Sequence, residues 1–412
     1  MNKIYLLSLL FICSLCSRAQ SVDSTAKVDT AEKKNIPAPT DYSHQRDIID
    51  ILYRILGKDP SKRLDTAKLK QGKIYFSGSP APAYQSQTGI EAVFTGNFAF
   101  YNGNPVTTKI SSALIDFNYT QKSQIILPLE SNIWSKDNKY NFVGDWRYLK
   151  YPEQIYGIGG YTTAAEAYTV DYDYLRFYQY VLRKISNNFY GGVGVQYDRH
   201  YNIKEDSVAP GRVTDFEKYG FSKTSTSSGI SANFLYSNVT NMINPDGGDF
   251  YANVILRQNL TFLGSDQNWN SVLIDMRKYF SVGHKGNVLA LWTYDWLTFG
   301  NPPYLDLPSN GWDTYSNTGR GYIQSRFAGK KMLYLESEYR FGITHNGLIG
   351  GVVFANAESF TEFNNTFQVI EPGFGGGLRF KFNKFSRTNV AIDYGFGKNG
   401  SGGVFINLGE VF

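Results

Sequence analysis

Residues 317–341 read NTGRGYIQSRFAGKKMLYLESEYRF, in which a glycine-flanked Arg320, then Gly321 and Tyr322, lead into an alternating strand. Along that strand Tyr334, Glu336, Glu338 and Arg340 fall on one face. Leu333, Leu335, Tyr339 and Phe341 fall on the other, with Ser337 the one polar residue among them. Successive side chains of a strand point to opposite faces, so this is a wall with water or charge on one side and hydrocarbon on the other. Before it, from Gly300, runs a segment of about thirty residues rich in Pro, Gly, Asn and Asp, far longer than a hairpin needs.

The same alternation recurs from Ile74 onward. Ile90, Ala92, Phe94, Phe98 and Phe100 oppose Glu91, Thr95 and Asn97, and Ala113, Ile115, Phe117 and Tyr119 oppose Ser112, Asp116 and Asn118. Val288, Ala290, Trp292, Tyr294 and Trp296 form a third apolar stripe, with Thr293 and Asp295 opposite. Each is a strand of about ten residues with one apolar face, as a transmembrane strand requires. At about twenty residues per strand and connection, residues 74–412 accommodate roughly sixteen strands, within the range of such barrels. The segment 171–183 mixes tyrosines and charges on both faces, and its register is not legible. The last strand places Val404, Ile406, Leu408 and Phe412 on one face, interrupted by Glu410, and an exposed edge of this kind can be read by strand pairing.

Composition agrees. The 31 Tyr, 29 Phe and 40 Gly suit a barrel whose outer face and girdles are apolar and aromatic while its lumen stays polar. Mean hydropathy accordingly stays at -0.32, close to that of a soluble protein. A secreted β-sandwich shares the alternation and the glycine turns, but not the alternating final strand behind an export signal. Lys3, the apolar run 4–16 and Ser17-Arg18-Ala19 read as a secretory signal peptide over residues 1–19. Ile12 and Leu15 are too bulky before Cys13 and Cys16 for a lipidation site, and cleavage after Ala19 removes both cysteines, leaving neither disulfide nor thiolate chemistry. It also lowers the net charge from +5 to +3, by loss of Lys3 and Arg18, and the remaining basic residues form no tract that suits nucleic acid.

Residues 20–72 read as a periplasmic tether, Thr-rich and charged to about Ala38. A short amphipathic helix follows at about 44–56. Ile48, Ile51, Leu52, Ile55 and Leu56 recur at helical spacing, Ser43 stands where a cap belongs and Gly57 where the helix stops. So short an apolar stripe must bury against something: the barrel mouth, the membrane surface or a partner. Residues 73–412 form the barrel.

Arg320-Gly321-Tyr322 followed by Glu338-Tyr339-Arg340-Phe341 resembles the sixth loop and next strand of the BamA/TamA-type outer-membrane barrel superfamily, the bacterial surface antigen family. Asn244-Pro245-Asp246-Gly247-Gly248-Asp249-Phe250 resembles that family's Asn-Pro-x-x-Gly-Tyr turn. Leu263-Gly264-Ser265 and 275–279 resemble the strands that follow it, and 375–379, Asp393-Tyr394-Gly395 and Phe412 its last three strands. The resemblance implies an all-β, antiparallel transmembrane barrel of about sixteen strands in the bacterial outer membrane, with a long sixth loop folded into the lumen. It makes Gly319, Arg320, Gly321 and Tyr322 the luminal loop motif, with Arg320 paired to acidic residues of the inner wall. The inward candidates are Glu336, Glu338 and Asp393. At the family's Phe-x-Asp-x-Gly motif this chain has Phe354-Ala355-Asn356-Ala357, so Asn356 stands where the charged acceptor belongs.

A second candidate region is the seam between first and last strands. Pro80 and Pro82 cannot donate to a ladder, so pairing there should be short, and Gly400, Gly402 and Gly403 loosen the start of the last strand before Phe412. The resemblance makes that seam a lateral gate. Between Gln20 and Gln71 there is no room for a polypeptide-transport-associated (POTRA) domain of the kind family members carry.

No enzyme chemistry is indicated. His44, His200, His284 and His345 are isolated, no Gly-x-Ser-x-Gly elbow occurs, and Asp246 and Asp249 read as turn residues, so neither a metal nor a cofactor is expected. The expected function is outer-membrane protein insertion, translocation or assembly. The expected partners are membrane lipid, client outer-membrane proteins and accessory periplasmic or outer-membrane subunits, with no nucleic acid. The alternative is a passive diffusion channel or a structural surface barrel.

Overall fold

The structure is a computed structural model that describes residues 44–63, 72–85, 88–105, 107–206, 208–284, 286–314 and 316–412, without the side chains of 62, 77 and 79–85. The signal peptide at 1–19, the tether up to residue 43 and the expected cap at Ser43 lie outside the described residues. Strands follow one another as β1 (Tyr75–Gln85), β2 (Gly89–Phe100), β3 (Ser111–Thr120), β4 (Ile125–Trp134), β5 (Tyr140–Lys150) and the three-residue β6 (Glu153–Ile155). Next come β7 (Tyr168–Ser186), β8 (Phe189–Asp206), β9 (Ser225–Ser237), β10 (Phe250–Asn259), β11 (Trp269–Ser281) and β12 (Val288–Gly300). The last five are β13 (Lys331–Gly342), β14 (Ile349–Phe360), β15 (Glu371–Asn383), β16 (Thr388–Phe396) and β17 (Gly402–Leu408).

All seventeen belong to one antiparallel sheet. β5 and β6 pair with successive stretches of β7, so seventeen strands occupy sixteen wall positions, seventeen less one. β1 lies beside β17, and the wall closes there. Outward faces are apolar, as the alternation predicts: Ile90, Phe94, Ile115, Phe117, Phe177 and Val195 are exposed. On β13 the inward set is Tyr334, Glu336, Glu338 and Arg340, all buried. In β7 the inward residues include Tyr172, Tyr174 and Tyr180, which resolves the register that the sequence left open.

Two expectations are corrected. The stripe on β12 faces the lumen and not lipid: Val288, Ala290, Trp292 and Tyr294 are buried in a cluster with Tyr279, Tyr334, Phe360 and Phe412. Phe412 is therefore not a seam residue. β17 ends at Leu408, Gly409 turns the chain at φ +109°, and Val411 and Phe412 fold into the lumen. The Phe412 ring stacks on Trp292 at 5.1 Å and its main-chain oxygen accepts from Arg340 at 2.7 Å.

The helix, α1, spans Ile48–Ile55, shorter than the expected 44–56, and Gly57 follows it at φ +68°. Its cap is Asp47, whose Oδ1 accepts from the Asp50 N–H at 2.7 Å. The helix docks by its carboxylates rather than its apolar stripe. Asp47 accepts from Arg63 (2.6 Å) and the Lys384 N–H (2.8 Å), and Asp50 pairs with Arg63 and with Lys384 Nζ (2.9 Å). Ile51, Leu52, Ile55 and Leu56 remain exposed.

Candidate functional site

The connection between β12 and β13, residues 301–330, is the sixth at its end of the barrel and enters the lumen. Its tip is built by local chemistry. Asp313 accepts from the N–H groups of Asn317 (2.9 Å) and Thr318 (2.7 Å), and the Tyr322 N–H bonds Gly319 O at 2.9 Å. Gly319 (φ +81°) and Gly321 (φ +113°) take left-handed conformations that other residues rarely adopt, and between them they aim Arg320 at the wall. The loop lies flush on β16: a Cβ at Gly395 would sit 2.6 Å from Gly321 N, and one at Gly373 on β15 would sit 2.6 Å from Arg320 O.

Arg320 is 1% exposed. Nη1 pairs with Asp393 at 2.7 Å, Nη2 pairs with both Glu336 and Glu338, and the guanidinium lies 3.7 Å from the centre of the Phe354 ring. Arg340 and Arg379 extend the lattice to Glu338, Asp393 and Glu410. Asn356 does not meet the guanidinium: its Nδ2 donates to the main-chain oxygen of Arg320 at 2.8 Å. Tyr322 is anchored separately, donating to Pro372 O (2.6 Å) and accepting from the Lys398 N–H (2.9 Å).

Further along the loop Trp312 Nε1 donates to Glu153 of β6 at 2.8 Å, while Asn317 Nδ2 holds Val411 O at 2.7 Å. The loop thus bridges from β13–β16 across to β6 and also grips the inturned end of the chain. A second luminal lattice escaped the sequence reading. Asp198 pairs with Arg257 (2.7 Å) and accepts from Tyr178 (2.8 Å), and His200 stacks on Tyr174 with centroids 4.2 Å apart. The tyrosines at every second position of β7 were its signal, but the partners sit on β8 and β10, far off in sequence. Among the described residues no three His, Cys, Asp or Glu side chains are grouped to hold a metal.

The seam has a directional weakness. Ile90 O accepts from the Gln121 N–H at 2.7 Å, so even-numbered residues of β2 bond toward β3 and odd ones toward β1. The register Gln85↔Gly89 through Ala81↔Val93 then turns odd residues of β1 to β2 and even ones, Pro80 and Pro82 included, toward β17. The two missing donors fall on the seam edge, and β1 keeps an unbroken register with β2 from Tyr75 to Gln85. Gly402 and Gly403 open the seven-residue β17. Among the described residues no ladder joins β1 to β17; every ladder runs between successive wall positions.

A sixteen-position antiparallel barrel with an arginine-locked sixth loop in its lumen is the class of molecule this geometry defines. Its fold is that of the BamA- and CdiB-type barrels. It is similar to BamA from Haemophilus ducreyi lacking POTRA domains 1-3, with a TM-score of 0.52 at 14% identity over 82% of this chain and 68% of that one. It is likewise similar to CdiB from Acinetobacter baumannii, with a TM-score of 0.51 at 12% identity over 82% of this chain and 60%, less than two thirds, of that one. No family model matches the sequence, and no curated protein matches it.

Proposed function

We propose that this barrel resides in the bacterial outer membrane and acts in insertion, translocation or assembly of outer-membrane proteins, beside partners that deliver clients from the periplasm. The observation that carries the reading is the seam: among the described residues β1 and β17 lie side by side without a ladder, and the prolines strip donors from that edge alone. An unpaired edge accepts an incoming strand by main-chain hydrogen bonding. The channel alternative gains no support, because the sixth loop is held in the lumen by the buried ion pairs of Arg320, and Val411 and Phe412 are held there by hydrogen bonds from Asn317 and Arg340.

The test is photo-crosslinking in living cells from probes at Tyr84 and Phe405, with the adducts identified by mass spectrometry. Several newly made outer-membrane proteins in the adducts are the expected result. Self-crosslinks alone would mean a closed seam and would overturn the proposal in favour of a structural barrel.

A further inference from the structure

Directly beneath the glycine tip of the sixth loop lies a cluster of acceptor oxygens that the Arg320 lattice does not use. Glu358, on the luminal face of β14, is 1% exposed, and neither of its carboxylate oxygens has a hydrogen-bond partner. Two residues earlier on the same face, Asn356 is 5% exposed. Its Nδ2 is fixed on Arg320 O, which leaves its Oδ1 without a partner. Glu371 stands directly across from Glu358 on β15, and Gly319 closes over it, since a Cβ there would lie 3.1 Å from Glu358 Oε2.

Two of the three charged groups around Glu358, which are Glu371, Glu336 and Arg326, are themselves carboxylates. Glu336 is taken by Arg320, Glu371 by Lys398 at 3.2 Å, and Arg326 is turned to Thr162 with bonds of 2.9 and 2.6 Å. Among the described residues Glu358 has no cation of its own. Three partnerless acceptors with no donor among them call for a positive ligand, and a hard divalent ion takes carboxylate and amide oxygens together with main-chain carbonyls.

We propose that Glu358, Glu371 and Asn356 Oδ1 form a site for a divalent cation of the Ca2+ class, which bridges β14 and β15 beneath the tip of the sixth loop independently of Arg320. The site stands whether or not the barrel inserts proteins. Terbium is the probe: on the purified full-length barrel in detergent, Tyr334, the cross-strand neighbour of Glu358, can sensitise its luminescence. The expected result is a saturable signal displaced by Ca2+, weakened about tenfold or more in Glu358→Gln because ligand charge sets affinity at such sites. It should be unchanged in Asp266→Asn on an exposed hairpin loop.

Thermal melting of the wild-type chain should also rise with Ca2+ and fall with EDTA. Equal terbium binding in Glu358→Gln would overturn the proposal. So would a wild-type chain with neither terbium signal nor Ca2+-dependent melting, or a Glu358→Gln chain as stable in EDTA as the wild type in Ca2+, which would mark Glu358 as a protonated carboxyl. Should Glu358→Gln fail to fold, Glu371→Gln and the wild-type titration decide by the same criteria.

Discussion

Replacing Arg320 by Ala isolates what the sixth loop contributes to its own seat. Four carboxylates share the lattice, but they do not depend on Arg320 equally. Glu338 retains Arg340 and Arg379, and Asp393 retains Arg379, whereas Glu336 is left with the Tyr334 hydroxyl alone. Removing one partner of a buried pair costs about 3–5 kcal/mol, chiefly for the charge left behind. That cost falls on the loop-in state alone, because a released loop lets water reach Glu336. At 1.4 kcal/mol per tenfold, the loop-out population should rise roughly 100- to 4,000-fold. Tryptic cleavage at Arg326 in the folded, detergent-solubilised barrel reads that population directly, since cleavage of a transiently open segment tracks its equilibrium. Arg320→Lys should fall between, because an ammonium is a point charge that cannot span three carboxylates. Adding Glu336→Gln to Arg320→Ala should recover at least half of the loss. A cleavage rate in Arg320→Ala within about twofold of wild type would refute the lattice as the loop's lock, since 3–5 kcal/mol predicts far more.

Gly395→Ala should release the loop as Arg320→Ala does, because the new Cβ would meet Gly321 N at 2.6 Å and its Cα at 3.0 Å, backbone that cannot yield; Gly342→Ala, with nothing within 4 Å, should leave the same proteolysis unchanged. Phe412→Ala should lower stability by about 3–5 kcal/mol as a buried aromatic truncation, read as a shifted denaturant midpoint, while Leu408→Ala, 67% exposed on the wall, should not move it in detergent. Docking of α1 should fail in acid. Burial raises the Asp50 pKa, but the hydrogen bonds and charges of Lys384 and Arg63 outweigh it and hold the carboxyl below its ordinary 3.8. The stabilisation is therefore complete above the unfolded value and is lost as pH falls through the folded one, below about 3.8. Proteolysis behind the helix at neutral and acid pH, with Asp50→Asn as the variant that abolishes the difference, checks it.

How much was legible follows from what a period of two can say. It separates two faces and is silent on which one is inside. On β13 the charges settled the question, since Glu336, Glu338 and Arg340 have no place in lipid, and Arg320 is a natural counterion for them. On β12 the apolar stripe was ambiguous, because this lumen is filled by loop and chain end and offers Trp292 and Tyr294 an apolar neighbour in Phe412. Phe412 itself was misplaced by extending the strand through Gly409; the glycine was visible, its positive φ was not. The way the helix docks was hidden for a related reason. Its stripe was plain, yet its docking rests on Asp50 and Lys384, 334 residues apart, and no local pattern carries that contact.

These same features divide the molecule mechanically. Around the wall each position is paired with the next by a ladder, and inside it the loop, the chain end at Glu410 and β13–β16 are joined by guanidinium–carboxylate pairs that are costly to break singly. At one place neither holds. Pro80 and Pro82 remove donors on the side of β1 that faces β17, and β17 is the shortest full wall strand, beginning on two glycines and ending where Gly409 leads the chain inward. Opening along the axis requires unseating Arg320 and Phe412 together. Parting the seam breaks no ladder among the described residues. The cheaper motion is therefore sideways, which is the motion that the proposed exchange of strands at the seam requires.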